Sequence, residues 1–80
     1  MQVAVTGLLC TAVNGAASIN IEADTIRELL RKLVERYPKF EPLLDAGVAV
    51  VINGEIFRDN WSEPIPAGAE VVLMPRIQGG

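Results

Sequence analysis

Alternating apolar and polar residues open the chain and predict two strands. Val3 and Val5 alternate with smaller or polar residues between Gln2 and Leu9, which is the period of a half-buried strand. Ser18 to Glu22 alternates in the same way, and Asn14-Gly15 before it is a common turn pair where positive φ is needed. We therefore expect a hairpin whose core face carries Val3, Val5, Ile19 and Ile21.

A helical period follows and predicts the main helix. Thr25 with Glu28 three residues later forms a capping box, which marks the start of a helix. The apolar stripe at helical spacing consists of Ile26, Leu29, Leu30, Leu33, Val34 and Tyr37. Charged residues occupy the opposite side, which we interpret as the solvated back of the helix, and Pro38 ends the element.

The second half of the chain predicts further strands after a short helical turn from Phe40 to Asp45. Val48 to Ile52 is apolar throughout, which is typical of a central strand buried on much of both faces. Asn53-Gly54 turns it into a short strand, Glu55 to Arg58, and a loop containing proline leads to a last strand, Glu70 to Pro75. One amphipathic helix against one face of a mixed, four- to five-stranded sheet makes a compact α+β roll.

Size and composition restrict the chain to one small globular domain. Its 80 residues support a single core, and 50% apolar with 21% charged residues argue against disorder. The net charge of −3, with dispersed Lys and Arg, gives no basic stripe for nucleic acid. Gly7 to Ala12 superficially resembles an export signal but lacks a positive n-region, and no run is long enough to span a membrane. A cytoplasmic protein that contacts neither nucleic acid nor membrane is expected.

Few side chains offer catalytic chemistry. The chain has no histidine, which removes the usual general base and the commonest metal ligand, so no metal site is expected. Cys10 is the single cysteine and has no cation near it in sequence to favour a thiolate, so we interpret it as a half-buried structural residue. Trp61 is expected to pack against its own loop.

The sequence ends on two glycines, which directs attention to its last residues. Gly79 and Gly80 follow a short tail formed by Arg76, Ile77 and Gln78. Glycine adds no side-chain bulk and tolerates dihedrals closed to other residues. Five extended residues reach about 16 Å, so the tail could thread a narrow slot and present a terminal carboxylate to an enzyme. We therefore divide the chain into a folded domain, residues 1–75, and a flexible tail, residues 76–80.

Four segments together resemble a known family. They are the helix entry Asp24 to Leu30, the pair Tyr37-Pro38, the turn Val51 to Glu55 and the ending Ala67 to Gly80. In order and spacing they are similar to the MoaD/ThiS sulfur carriers, and most similar to the small subunit of molybdopterin synthase. The resemblance covers essentially the whole chain and implies the β-grasp fold of ubiquitin-like proteins.

The resemblance implies a carrier, not an enzyme. In this family a ubiquitin-activating-type (MoeB/ThiF-like) adenylyltransferase uses ATP to adenylate the terminal carboxylate, here that of Gly80. A sulfur donor then replaces AMP to leave a thiocarboxylate, and the carrier itself binds no cofactor. An acceptor such as a molybdopterin synthase large subunit would receive the sulfur.

The resemblance leaves other outcomes open besides molybdopterin synthesis. A ThiS-like or related carrier would supply sulfur for thiazole, cysteine or tRNA thiolation. A ubiquitin-like modifier would instead be conjugated to lysine through Gly80. A plain interaction module would never have its tail activated.

A partner-binding surface is predicted on the sheet face that does not carry the helix. The candidates are Leu8, Val51, Ile56, Val72 and Met74. Ile56 and Met74 match hydrophobic partner contacts of the MoaD family, and methionine suits an adaptable interface. Val51 and Ile56 are equally compatible with the core, and Arg76 with either solvent or an acidic groove or nucleotide.

Overall fold

A computed structural model describes residues 1–76 and arranges them as one mixed sheet with helices against it. The strands are β1 (Gln2–Val5), β2 (Ser18–Asn20), β3 (Val48–Ile52), β4 (Glu55–Phe57) and β5 (Val71–Pro75). The helices are a 3-10 helix (Gly7–Val13), α1 (Ile26–Arg36) and α2 (Phe40–Ala46). The strand order is β2-β1-β5-β3-β4, in which β1 and β5 are parallel and the other neighbours antiparallel. The predicted α+β class and mixed sheet are confirmed.

The first strand is shorter than its alternation indicates. β1 ends at Val5, and a 3-10 helix occupies Gly7 to Val13. Gly7 is the first residue of this helix and Asn14 follows its last. Both have positive φ, 60° and 59°, in the left-handed region. The predicted strand to Leu9 is therefore wrong beyond Val5, because a short apolar run cannot distinguish a strand from a helical turn. Leu9 and Val13 are still buried in the core.

Helix α1 begins at the predicted capping box. The Glu28 amide donates to Thr25 Oγ1 at 3.2 Å. The Asp24 amide donates to Glu28 Oε1 at 2.7 Å, so the return bond reaches the residue before the cap. The buried residues of the helix are Ile26, Leu29, Leu30 and Leu33. The predicted stripe is therefore confirmed, with its last two members half-buried.

The loop between β4 and β5 closes over the start of α1. The Ile26 amide donates to the Glu63 carbonyl at 3.1 Å, and the Arg27 amide donates to the Trp61 carbonyl at 2.8 Å. The first amides of a helix have no acceptor within the helix. The loop supplies carbonyl acceptors for two of them and so fixes the start of α1. Trp61 is half-buried and packs against the hydrophobic core, whereas the sequence analysis placed it against its own loop.

Alternate residues of the central strands build the core. The residues that these strands contribute to the core cluster are Val48, Val50 and Ile52 of β3 and Val71 and Leu73 of β5. They join the predicted core residues of the first hairpin and the buried side of α1 in one cluster. Within residues 1–76, no helix is both long and apolar enough to cross a membrane.

Candidate partner-binding site

Three of the predicted partner residues form one cross-strand row on the sheet. Val51 lies opposite Ile56 of β4 on one side and opposite Val72 of β5 on the other. Opposite residues in antiparallel pairs have Cβ atoms about 4.5–5.5 Å apart, so the three side chains are contiguous. Ile56 is 51% exposed, and Val51 and Val72 are half-buried. None of them is buried in the core, and with Met74 they define what we call the open face.

A second row on the open face contains a small residue between larger ones. Ala49 of β3 lies opposite Met74 of β5. Ala49 is only 6% exposed although it is out of phase with the core residues of its strand. Ala49, Ile56, Arg58, Met74, Pro75 and Arg76 line a depression of about 290 Å³. We call this depression the Ala49 groove.

Arg76 is held at the rim of the Ala49 groove by backbone and side-chain contacts. Its amide donates to the Gly47 carbonyl at 3.1 Å, which continues the pairing of β5 with β3 beyond Pro75. A Cβ placed on Gly47 would lie 3.2 Å from both Cβ and Cδ of Arg76, so the arginine stem crosses the glycine closely. Its Nη1 lies 3.7 Å from Oδ1 of Asp59. Arg76 is therefore placed by the sheet and paired with a carboxylate.

Leu8 does not belong to a strand of the sheet, contrary to the prediction that placed it there. It belongs to the 3-10 helix and is 57% exposed. Thr6 Oγ1 donates to the Leu73 carbonyl at 2.9 Å. A Cβ on Gly7 would lie 3.2 Å from Pro75 Cγ, so this helix starts against the end of β5. Leu8 thus presents apolar surface beside the point where the chain leaves the sheet.

Cys10 has a structural environment. It is half-buried in the 3-10 helix, and its Sγ donates to the Val5 carbonyl at 3.1 Å. Within residues 1–76, no three His, Cys, Asp or Glu side chains are grouped as a metal site would require.

The predicted reactive residues lie outside the described part of the chain. Ile77, Gln78, Gly79 and Gly80 belong to this set, and their roles stay predictions. What the structure adds is the position from which they depart. β5 is the middle strand of the sheet, and its end is flanked by the 3-10 helix and the Ala49 groove.

Sequence reasoning missed three residues that line the groove, Ala49, Arg58 and Pro75. It also missed Gly47, which the Arg76 side chain crosses closely. The sequence did contain a signal, because the small residues Gly47 and Ala49 alternate with valines where β3 begins. Its meaning depends on which strands pair with β3, and the chain order alone does not give that.

The strand order and the helix after the first hairpin define a β-grasp, ubiquitin-like protein. The small archaeal modifier protein 1 of Methanosarcina acetivorans is similar, with a TM-score of 0.81 and 18% identity over 99% of this chain and 94% of that one. A chain of the BexX/CysO complex of Amycolatopsis orientalis has a TM-score of 0.78 and 20% identity over 99% and 98%. A chain of the complex of subunits 1 and 2 of the molybdopterin-converting factor from Helicobacter pylori 26695 has a TM-score of 0.67. Its sequence identity is 23%, over 99% of this chain and 96% of that one. These likenesses show the fold.

Family membership comes from the sequence match. The model of the ThiS family matches residues 5–80, so the chain belongs to the ThiS family. No curated protein matches the sequence. The resemblance to the MoaD/ThiS carriers is therefore confirmed at the level of the family.

Proposed function

We propose that this protein is a sulfur carrier that acts through the carboxylate of Gly80. The observation that carries the proposal is the ThiS family match, which extends through the two glycines to residue 80. In the proposed reaction an activating enzyme joins the carboxylate to the α-phosphate of ATP and releases pyrophosphate. A sulfide equivalent from a donor then attacks the acyl carbon, AMP leaves, and a thiocarboxylate remains.

The chemical logic of the proposal agrees with the residues of the tail. An α-carboxyl group is anionic at neutral pH, so it is a ready nucleophile for the α-phosphorus. Attack on a phosphoryl group requires close placement of the reacting atoms. Glycine obstructs such placement least, because it has no side chain. In this proposal the partners supply acid, base and metal chemistry, and the protein is a non-catalytic co-substrate in the cytoplasm.

The open face supports the proposal because it offers an apolar surface to which partner enzymes can bind. The exposed and half-buried side chains of Ile56, Val51, Val72 and Met74 form a contiguous apolar surface on the strands next to the tail. We propose that this surface docks on the activating enzyme and then on the acceptor, because a carrier must be held while its terminus reacts. Leu8 adds an exposed apolar side chain on the 3-10 helix, which starts against the end of β5.

Molybdopterin synthesis is the pathway we favour for the sulfur. The Helicobacter pylori structure pairs subunits 1 and 2 of the molybdopterin-converting factor, and its matching chain has the same fold as this protein. By analogy, a large synthase subunit would accept the sulfur here. The BexX/CysO likeness supports a different acceptor as an alternative, and thiazole, cysteine and tRNA thiolation belong to the same class.

A second candidate function is attachment of Gly80 to protein lysines. The likeness to the small archaeal modifier protein 1 favours it. Both candidates share the adenylated intermediate and diverge only in whether sulfide or a lysine amine attacks the acyl carbon. The two functions therefore require the same first step.

That first step is tested by reconstitution with the activating enzyme from the same organism and labelled ATP. The full chain should release pyrophosphate and acquire AMP, whereas a variant lacking Gly80 should do neither. Melting curves of the two proteins should coincide, since the buried core consists of residues between Val3 and Leu73. Transfer of AMP to the shortened protein would overturn the proposal.

A further inference from the structure

The cations of the chain fall into two groups. Five of the seven lysines and arginines lie between residues 27 and 39, in α1 and just after it. The other two, Arg58 and Arg76, both line the Ala49 groove. Since the whole chain carries a net charge of −3, this groove is a local concentration of positive charge on an acidic protein. A binding partner at this place is favoured if it carries negative charge.

The groove between the two arginines is apolar and recessed. Ala49 forms its floor, and Ile56, Met74 and Pro75 supply apolar walls. Its volume is about 290 Å³. This is room for an apolar side chain and the backbone that carries it.

One arginine of the groove already holds a carboxylate. Arg76 Nη1 lies 3.7 Å from Asp59 Oδ1, and the side chains of Arg76 and Asp59 are 43% and 87% exposed. An exposed pair of this kind is weak, because solvent screens the attraction and holding two long side chains costs entropy, so a better-placed carboxylate can replace it. Within residues 1–76, Arg58 has no carboxylate at ion-pair distance.

We propose that the Ala49 groove binds a partner segment in which an apolar residue is followed by Asp or Glu. The apolar side chain occupies the space above Ala49, and the carboxylate binds Arg58 and displaces Asp59 from Arg76. Guanidinium groups suit this role because they take carboxylates in a planar, bidentate geometry. The site is independent of Gly80, so it stands whether or not Gly80 is adenylated.

The test uses three blocked dipeptides as probes, acetyl-Leu-Glu-amide, acetyl-Leu-Gln-amide and acetyl-Leu-Lys-amide, titrated into the ¹⁵N-labelled full chain. The Leu-Glu probe should bind saturably and shift the amide signals of Ala49, Ile56 and Met74. Leu-Gln should bind about two- to fivefold more weakly and Leu-Lys more weakly still, because each loses the charge attraction. Added salt should reduce the difference between the probes.

Two variants distinguish binding in the Ala49 groove from a general effect of the protein's charge. Arg58→Gln should weaken Leu-Glu binding about two- to fivefold, and Asp59→Asn should strengthen it, because the competing carboxylate is gone. Arg31→Gln is the matched control, since Arg31 pairs with Glu35 on α1 and its loss should change nothing. The proposal is overturned if Leu-Glu shows no saturable binding, if Leu-Lys binds as well, if the shifts map to α1, or if Asp59→Asn leaves binding unchanged.

Discussion

Leu73 and Met74 are neighbours in β5, yet they lie in two different regions of the molecule. Leu73 is completely buried among core residues, whereas Met74 is half-buried on the open face. The same division separates Val50 from Val51 in β3. Apolar character alone therefore does not assign a residue to the core. Its phase along the strand decides whether it stabilises the fold or remains available to a partner.

The largest effect on stability should follow from Leu73→Ala on the buried face. Removing a fully buried leucine costs the transfer free energy of the lost atoms and leaves a cavity, about 2–5 kcal/mol in total. Equilibrium unfolding in urea measures this loss directly. A cost below about 1 kcal/mol would contradict the placement of Leu73 in a tightly packed core.

The next effect concerns binding, and it tests the open face. Met74→Asp should weaken docking to the activating and acceptor enzymes by about tenfold to hundredfold, because an apolar interface would desolvate the new carboxylate. The free energy of unfolding should change by no more than about 1 kcal/mol. Titration calorimetry with each enzyme and thermal unfolding measure the two quantities, with Met74→Leu as the matched control.

Two outcomes would break the contrast between Leu73 and Met74. A fall in stability comparable with that of Leu73→Ala would place Met74 in the core. Unchanged affinity for both enzymes would place the partner surface elsewhere on the protein.

A smaller effect is expected at the start of α1, which covers the buried face. Thr25→Ala removes the oxygen that accepts from the Glu28 amide and should cost about 1 kcal/mol of stability. Affinity for partners should not change, because the cap lies on the helix side of the sheet. Thr25→Ser, which keeps the hydroxyl, should recover most of the loss in the same unfolding experiment.

The smallest effect should come from Cys10→Ser. A serine hydroxyl can donate to the Val5 carbonyl as the thiol does, and sulfur in this account is carried on the terminal carbonyl carbon. Sulfur transfer measured with the reconstituted enzymes should therefore be close to that of the unaltered protein. Loss of transfer by a well-folded Cys10→Ser protein would favour a persulfide carrier.

The sequence predicted the elements whose signals are local. The capping box at Thr25 and Glu28 located α1, and the alternation in the first hairpin identified its core residues. The strand prediction failed at Gly7 to Val13, where apolar residues fit a short helix as well as a strand. The local period was therefore sufficient for α1 and the hairpin core but insufficient at Gly7 to Val13.

The Ala49 groove could not be predicted in this way. It exists because β3 pairs with β5 on one side and with β4 on the other, which brings Arg76 over Gly47 and Met74 opposite Ala49. These residues are far apart in sequence, and their meeting depends on strand order and register. Val51 and Ile56 were named as open-face candidates, but the sequence left them equally compatible with the core, and strand pairing decided their place.

Mass spectrometry of the protein purified from its own organism tests the central claim most directly. The account predicts an intact mass in which one sulfur replaces one oxygen, and a C-terminal peptide that places this change on Gly80. Both should disappear when the activating enzyme is deleted. A terminal peptide that carries only an ordinary carboxylate while the activating enzyme is present, or one that continues beyond Gly80, would contradict the account.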